Sequence, residues 1–538
     1  MEHKFASPAR SRSRSGGPAT HTILFLSAVL SLVMIARASA ATSLTKSERA
    51  VLEGVNSGDG ADLGTLPERT ISADFLGRLI AGEIPGTKMR HNGIQLRNAR
   101  IKGSFDISGQ DVREPFTCYG CEFTDDVDMS DAHFFHNVSF ELSTFHSDIN
   151  MDHAVADGDV SIRDAQFGGH VDFSAMQVVG SLNAGGAHFK CAPCDPDGQQ
   201  ASFDHIKVGI LGEFSNLELN QPFTLEDADV NELSLGRDIN LCNSSAQGSA
   251  NSCMEIRTAP SIDLEEAKIQ RELTLLGQKV DNLVASGLDV RGRTILQGLT
   301  ITNSADLRGA HFQYLILAND VAWPTPSSSN GARTQLDGIT ISQIEVQDAG
   351  NFGPASKDGH GYIAPTDDLY KTLLKLWPDN AGYSARPYQQ LQQAFADAGR
   401  PDLADLAYES MKDKERASGH LSLVQKCVSW VLSLLVRYGR EPIRALYASI
   451  GFIVLGWIIF RQRRFVDPKV PEDQEKVFDP FWYSLDLFLP LSTLPDADTW
   501  VPKQDDQFRC IYARVHSLLG WILIPIGLAA ITGLLSGK

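Results

Sequence analysis

Six of the eight cysteines fall as close pairs: Cys118/Cys121, Cys191/Cys194 and Cys242/Cys253. Paired thiols at such spacing can form structural disulfides, hold zinc, or exchange electrons. A four-thiolate zinc centre would need both Cys-x-x-Cys motifs to converge, yet 69 residues lie between Cys121 and Cys191. A redox dithiol ordinarily opens a helix in a βαβ unit, and neither CYGC nor CAPC does. Structural disulfides are therefore the expected reading, as is usual for exported chains. Cys427 and Cys510 lie beside C-terminal hydrophobic segments and have no evident partners.

A second set is polar and regularly spaced: Asp128, Asn150 and Asp172, with Ser139, Ser161 and Asn183 midway between them. If one winding of the chain takes 22 residues, Asp128, Asn150 and Asp172 form a ladder on one outward face. Asp128 and Asp172 would then stand two windings, roughly 9.6 Å, apart. That is near the upper limit for the carboxylate pair of an inverting glycosidase. Outward strand positions are polar wherever water covers them, so the ladder is expected to be a solvated surface and no catalytic residue is assigned. His133, His136, His146, His153, His170 and His188 occupy unlike positions in the repeat and cannot converge, so no metal centre is expected. No P-loop, HExxH or Ser-His-Asp spacing is present, nor a flavin or nicotinamide fingerprint, and no cofactor is expected.

The element that must position these residues is an eleven-residue repeat. From Cys121 the chain reads CEFTDDVDMSD, AHFFHNVSFEL, STFHSDINMDH, AVADGDVSIRD, AQFGGHVDFSA, MQVVGSLNAGG. Position 1 is small in Cys121, Ala132, Ser143, Ala154 and Ala165. Position 3 is apolar, with Phe123, Phe134, Phe145 and Phe167. Positions 7 and 9 are apolar two apart, as in Val127/Met129, Ile149/Met151 and Val171/Phe173. Alternation of this kind marks a strand with one face buried. Gly158, Gly169 and Gly180 at position 5 would lend a corner its backbone freedom. One eleven cannot cover its own apolar face, whereas stacked windings can. The repeat opens at Ala99–Gly109 and resumes from Leu288, so 94–349 is expected to be a right-handed-type parallel β-helix, about eleven windings and about 50 Å long. Stretches 190–205 and 237–260 would be loops inserted at corners.

This cadence is similar to pentapeptide-repeat and other quadrilateral β-helix proteins, with a period of eleven in place of five. More closely, ARIKGSFDISGQDVREPF…CEF, RPYQQLQQAFADAGRPDLADLAYESMKDKER and FWYSLDLFLPLSTLPDADTWVPK resemble uncharacterised bacterial membrane-anchored proteins often catalogued as membrane-associated oxidoreductases. The resemblance spans most of 67–535. It implies a membrane-anchored β-helix and, by that label, a redox activity.

The rest of the chain concerns location. Lys4, Arg10, Arg12 and Arg14 precede an apolar run, Thr22–Ala36, and the small residues Ala38-Ser39-Ala40-Ala41. Residues 1–40 thus read as a signal peptide, with an uncleaved signal anchor as the alternative. Residues 41–93 would form an N-terminal helical cap and 350–366 a Gly- and Pro-rich linker. Residues 367–420 would form a helical hairpin: Tyr388, Leu391, Phe395 and Ala398 lie at helical spacing, as do Leu403, Leu406, Ala407 and Met411. Such a hairpin resembles a tetratricopeptide-type unit and could equally dock a partner or cap the repeat. Residues 421–440 would be an interfacial helix, 443–460 and 515–535 two transmembrane helices, and 461–514 the loop between them, where Asp486 would face water. With the export signal, the repeat lies on the periplasmic side of the inner (cytoplasmic) membrane.

Lys and Arg total 48 against 66 Asp and Glu, a net charge of −18. Nucleic acid is thereby an unsuitable partner. A mean hydropathy of −0.14 excludes a wholly embedded protein. The function expected is a periplasmic scaffold or binding protein that organises envelope components, with the lipid bilayer and an envelope protein or glycan as partners. The alternatives are an enzyme, either a disulfide-type oxidoreductase or a β-helical carbohydrate-active protein, and a two-span channel-like protein.

Overall fold

The computed structural model describes residues 44–190, 201–237, 257–324, 333–347, 367–378, 381–441, 443–469, 477–489 and 499–532. The signal segment, Cys191, Cys194, Cys242, Cys253 and the 350–366 linker lie outside the described residues.

Position 7 starts a two-residue strand in each eleven because its side chain and that of position 9 both turn inward. Val127–Asp128 and Val138–Ser139 are two such strands, and they alternate with His133–Phe134 and Thr144–Phe145, which bring position 3 inward. Ile149 then pairs in parallel with Val127, and Asn150 with Asp128, a register of 22 residues. Repetition builds three parallel sheets of 16, 7 and 10 strands that enclose one continuous core. The register resumes in step across both inserted stretches, since Val171 pairs with Ala201 and Phe223 with Ile262.

The core of the early windings is aromatic. Phe123, Phe145, Phe167 and Phe189 occupy position 3 on one face and stack with centroids 4.8, 5.1 and 5.0 Å apart. Offset ring pairs contribute about 0.5–1.5 kcal/mol each beyond burial. The small residues at position 1 are fully buried, and Ser143 is held there because its hydroxyl donates to the Cys118 carbonyl and accepts from the Cys121 N–H.

The corners differ from the sequence expectation. Backbone freedom is needed at position 11, where Asp131, Leu142, His153, Asp164 and Ala175 have φ of 54–58°. The N–H groups of Asp131, Leu142 and His153 donate to carbonyls of the next winding, so the left-handed turn is held by the ladder itself. Gly158, Gly169 and Gly180 have no left-handed φ. A Cβ at Gly169 would lie 2.5 Å from Asp148 Oδ1, and one at Gly180 would lie 2.3 Å from Asp159 Oδ1. Glycine stands at position 5 for close approach, because the position-6 carboxylate below it turns up to accept the His170 or Ser181 N–H.

Beyond Glu218–Leu219 the seven-stranded sheet ends. Longer strands, which begin with Lys207–Ser215 and include Lys268–Leu276, Asp289–Gln297 and Thr340–Gln347, carry the rest of the stack. Helices close both ends. At the start, α1 (Lys46–Ser57) has a Thr45/Glu48 capping box, and α2 (Ala73–Ile80) buries Phe75, Leu76 and Leu79. At the end come α3 (Asp367–Leu376), α4 (Ala385–Asp397) and α5 (Pro401–Ala417). Leu391, Phe395, Leu403 and Ala407 belong to the same core as the strands, and α4 packs on Thr340–Gln347. Of the two roles open to the hairpin, covering the end of the stack is the one this packing supplies.

The C-terminal part holds α6 (Leu423–Val436), α7 (Ile443–Ile459), α8 (Pro480–Phe488) and α9 (Gln507–Ile531). Among the described residues one helix, over Gln507–Ala529, is long and apolar enough to cross a membrane. It starts earlier than position 515 because Asp506 accepts the Arg509 N–H and caps it, bringing Arg509 and Arg514 into the helix. The 443–460 segment meets that standard only together with Leu423–Gly439, from which it is bent by 120°. Asp486, expected to face water, is instead buried, because α8 packs between α7 and α9.

Candidate functional site

The 22-residue register sorts the position-8 residues into two rows. Asp106, Asp128, Asn150 and Asp172 are consecutive Cα partners on the ten-stranded sheet. Thr117, Ser139, Ser161 and Asn183 are consecutive partners on the sixteen-stranded sheet. The same repeat position therefore produces two surfaces of different chemistry.

In the first row each side chain closes its own turn. Asp106, Asp128, Asn150 and Asp172 accept the N–H of the residue two positions on, at 2.9–3.0 Å. The Ser108 N–H and hydroxyl hold the Asp106 carboxyl below its ordinary value. Further along the row, burial pushes Asp263 up, with Glu265 and Asp204 adding repulsion. The sequence-predicted ladder is thus assembled in space, and its oxygens serve the backbone. These are turn-forming side chains, not an acid and base facing a substrate.

The second row is a trough. Its floor is short and half-buried, while Asn137, Asp159 and Ser181 rise along one side and Tyr119 and Glu141 along the other, around a cavity of about 490 Å³. The first wall is fixed by its own ladder, since Asn137 Oδ1 accepts the Asp159 N–H and Asp159 Oδ1 accepts the Ser181 N–H. On the floor, Ser161 donates to Glu141 at 2.8 Å, which leaves its two lone pairs as acceptors. Ser139 accepts the Glu141 N–H at 3.5 Å, and Asn183 at the end of the floor accepts the Gly185 N–H at 3.0 Å. Tyr119 is 41% exposed with the Arg97 guanidinium 5.9 Å from its ring centre. Hydroxyls, an amide, carboxylates and an aromatic face are the groups that bind a polyhydroxylated chain. The 22-residue period already separates the two rows in the sequence; it does not say which of them is walled.

The structure places the Cys118 and Cys121 sulfurs at bonding distance, with Cα atoms 5.6 Å apart and both residues buried. An attacking thiolate cannot reach a sulfur enclosed in this way. His133, His146 and His188 pair with Asp157, Glu122 and Glu218, each on an adjacent winding, while His153 pairs with its neighbour Asp152. No group of three or more His, Cys, Asp or Glu able to hold a metal occurs among the described residues.

A feature not foreseen joins the cap to the helices beyond it. Asp405 pairs with Arg440 and Glu409 with Arg437, both at 2.6 Å, and Tyr438 donates to Asp413 at 2.8 Å. The Arg440 guanidinium also lies over Tyr408, 4.6 Å from its centre. Asp405, Glu409 and Asp413 are four apart and so share one face of α5, which was the available signal. No family model matches this chain, and comparison with curated proteins and with solved structures returns no match.

Proposed function

We propose that this protein is a membrane-anchored scaffold of the cell envelope that binds an envelope glycan along its trough. In this reading the parallel stack is a right-handed β-helix built from pentapeptide-like coils, as in the membrane-anchored proteins it resembles. Residues 1–40 export it, and α7 and α9 anchor it in the inner membrane with the stack in the periplasm. The Cys118–Cys121 disulfide of that compartment pins an early corner. The observation that carries the proposal is the row Thr117, Ser139, Ser161 and Asn183, whose short side chains form the floor of a walled channel on a rigid face.

The test is co-sedimentation of the full chain with purified cell-wall glycan, compared with Ser161→Trp, which fills the floor. We expect apparent affinity to fall about tenfold, equivalent to about 1.4 kcal/mol. Equal binding by the two proteins would remove the trough as the site, and binding to an envelope protein alone would replace glycan as the partner.

The enzymatic readings draw less support. Burial of Cys118 and Cys121 opposes dithiol exchange, and the Asp128/Asp172 pair is engaged in turns. Glycan cleavage that disappears in Asp172→Asn would reinstate the carbohydrate-active reading. Ion flux in vesicles carrying the full chain would reinstate the channel.

A further inference from the structure

A second cavity lies where the cap meets the C-terminal helices. It has a volume of about 420 Å³, within the usual range for small-molecule sites. One wall belongs to α6 and presents Val424, Val428 and Leu432, with Gln425 and Ser429 beside them. The other belongs to α5 and carries Tyr408, Lys412 and Glu415. At the rim Lys412 Nζ lies 2.9 Å from a Glu415 oxygen, and both side chains are about 30% exposed (31% and 28%). The rim thus offers one cation and one anion side by side.

The apolar part of the α6 wall does not stop at the groove. Leu423, Val424, Val428, Trp430 and Leu434 are more than half exposed on α6, and Leu446 and Tyr447 continue the apolar surface on α7. The same helix carries Gln425, Ser429 and Ser433 on one face, and a helix with an extended apolar surface beside a polar face lies at a lipid interface. Its groove then opens where acyl chains meet headgroups, with the apolar part of the α6 wall facing the chains and the Lys412/Glu415 rim facing water.

We infer that this groove holds a single glycerophospholipid whose headgroup carries both a phosphate and an amine, such as phosphoethanolamine. An acyl chain lies along Val424, Val428 and Leu432, Lys412 takes the phosphate, and Glu415 takes the amine. This inference rests on the membrane-anchored reading above, but it concerns a separate site from the glycan trough.

The experiment is native mass spectrometry with lipid extraction on the full chain purified from membranes in mild detergent. The parent should retain about one aminophospholipid per chain, and Val428→Trp should lower that occupancy about tenfold. Leu434→Trp, on the exposed side of the same helix, should leave it unchanged. Glu415→Lys should shift the retained lipid toward anionic headgroups. Equal occupancy in Val428→Trp, or bound lipid with the composition of the bulk membrane, would overturn the inference. Carbonate washing of the same membranes separates the two claims. Release of the parent contradicts the anchor, whereas firm attachment without a bound lipid contradicts the groove alone.

Discussion

The early windings, 94–190, and the late ones, 207–347, solve the same stacking problem differently. Early strands are mostly two residues long, four at most, and offer little continuous backbone pairing between corners. Their cohesion comes from side chains: the Phe123–Phe145–Phe167–Phe189 column inside, and Asx turns with position-6 ladders at the corners. Most late strands run seven to nine residues, as in Gln278–Val284 and Asp289–Gln297, and absorb register shifts such as that between Val290 and Arg293. There the aromatic column is replaced by Leu273, Leu275, Val290 and Leu296. Long pairing relaxes the demand for a strict eleven, which is why the repeat is sharpest where strands are shortest.

The contrast can be broken by mutation. Phe145→Ala, in the middle of the column, should cost about 4 kcal/mol, against about 3 kcal/mol for Leu275→Ala in the late stack. Urea denaturation monitored by circular dichroism compares them, and a larger loss for Leu275→Ala would reverse the account. Gly169→Ala should cost about 2 kcal/mol, since its Cβ meets the Asp148 carboxylate and backbone that cannot retreat. A neutral result would show that the early corners are looser than described.

The position-8 row carries the contrast further, because Asp106 and Asp263 on it titrate in opposite senses. The Asp106 carboxyl is held low, so its contribution is present above the ordinary carboxylate value and is lost as pH falls through the folded one. Asp106→Asn should therefore be less stable than the parent at pH about 7, with the gap closing in acid. Asp263 is held high, so its ionisation opposes folding above the ordinary value. Asp263→Asn should be more stable at neutral pH, and that gain should vanish on acidification. Urea midpoints at neutral and acid pH measure both, and shifts of the same sign would undo the distinction. The smallest effect is expected at Leu142, an exposed residue at φ 57°. Leu142→Gly should raise stability by about 1 kcal/mol by removing left-handed strain. An unchanged or lowered thermal midpoint would mean that the leucine's contacts outweigh its backbone.

Much of this architecture was legible in the sequence, because positions 7 and 9 repeat an in–out–in pattern that only a strand can satisfy. The Asp128, Asn150 and Asp172 alignment followed from the period alone. The left-handed corner was written at position 11 by Gly109, Gly120, Gly186, Gly298 and Gly309, and it was obscured in the middle windings, where Leu142, His153 and Ala175 occupy it. Which face carries the trough was hidden because one eleven writes the same position on both faces, and only wall height tells them apart. The Asp405–Arg440 clamp joins residues whose pairing depends on how α5 returns past the turn at Arg437–Gly439. Asp486 was misplaced because hydropathy along one segment is silent about a helix packed between two others.

The register itself admits the most direct test. Ser139→Cys with Ser161→Cys places two thiols opposite one another on adjacent parallel strands, about 4.8 Å apart in the pairing direction. Ser139→Cys with Asn150→Cys places them on different sheets. Mild oxidation of the full chain followed by peptide mass spectrometry should give a cross-link in the first pair and none in the second. A cross-link in the second pair, with the first left reduced, would contradict the 22-residue winding and remove the trough that depends on it.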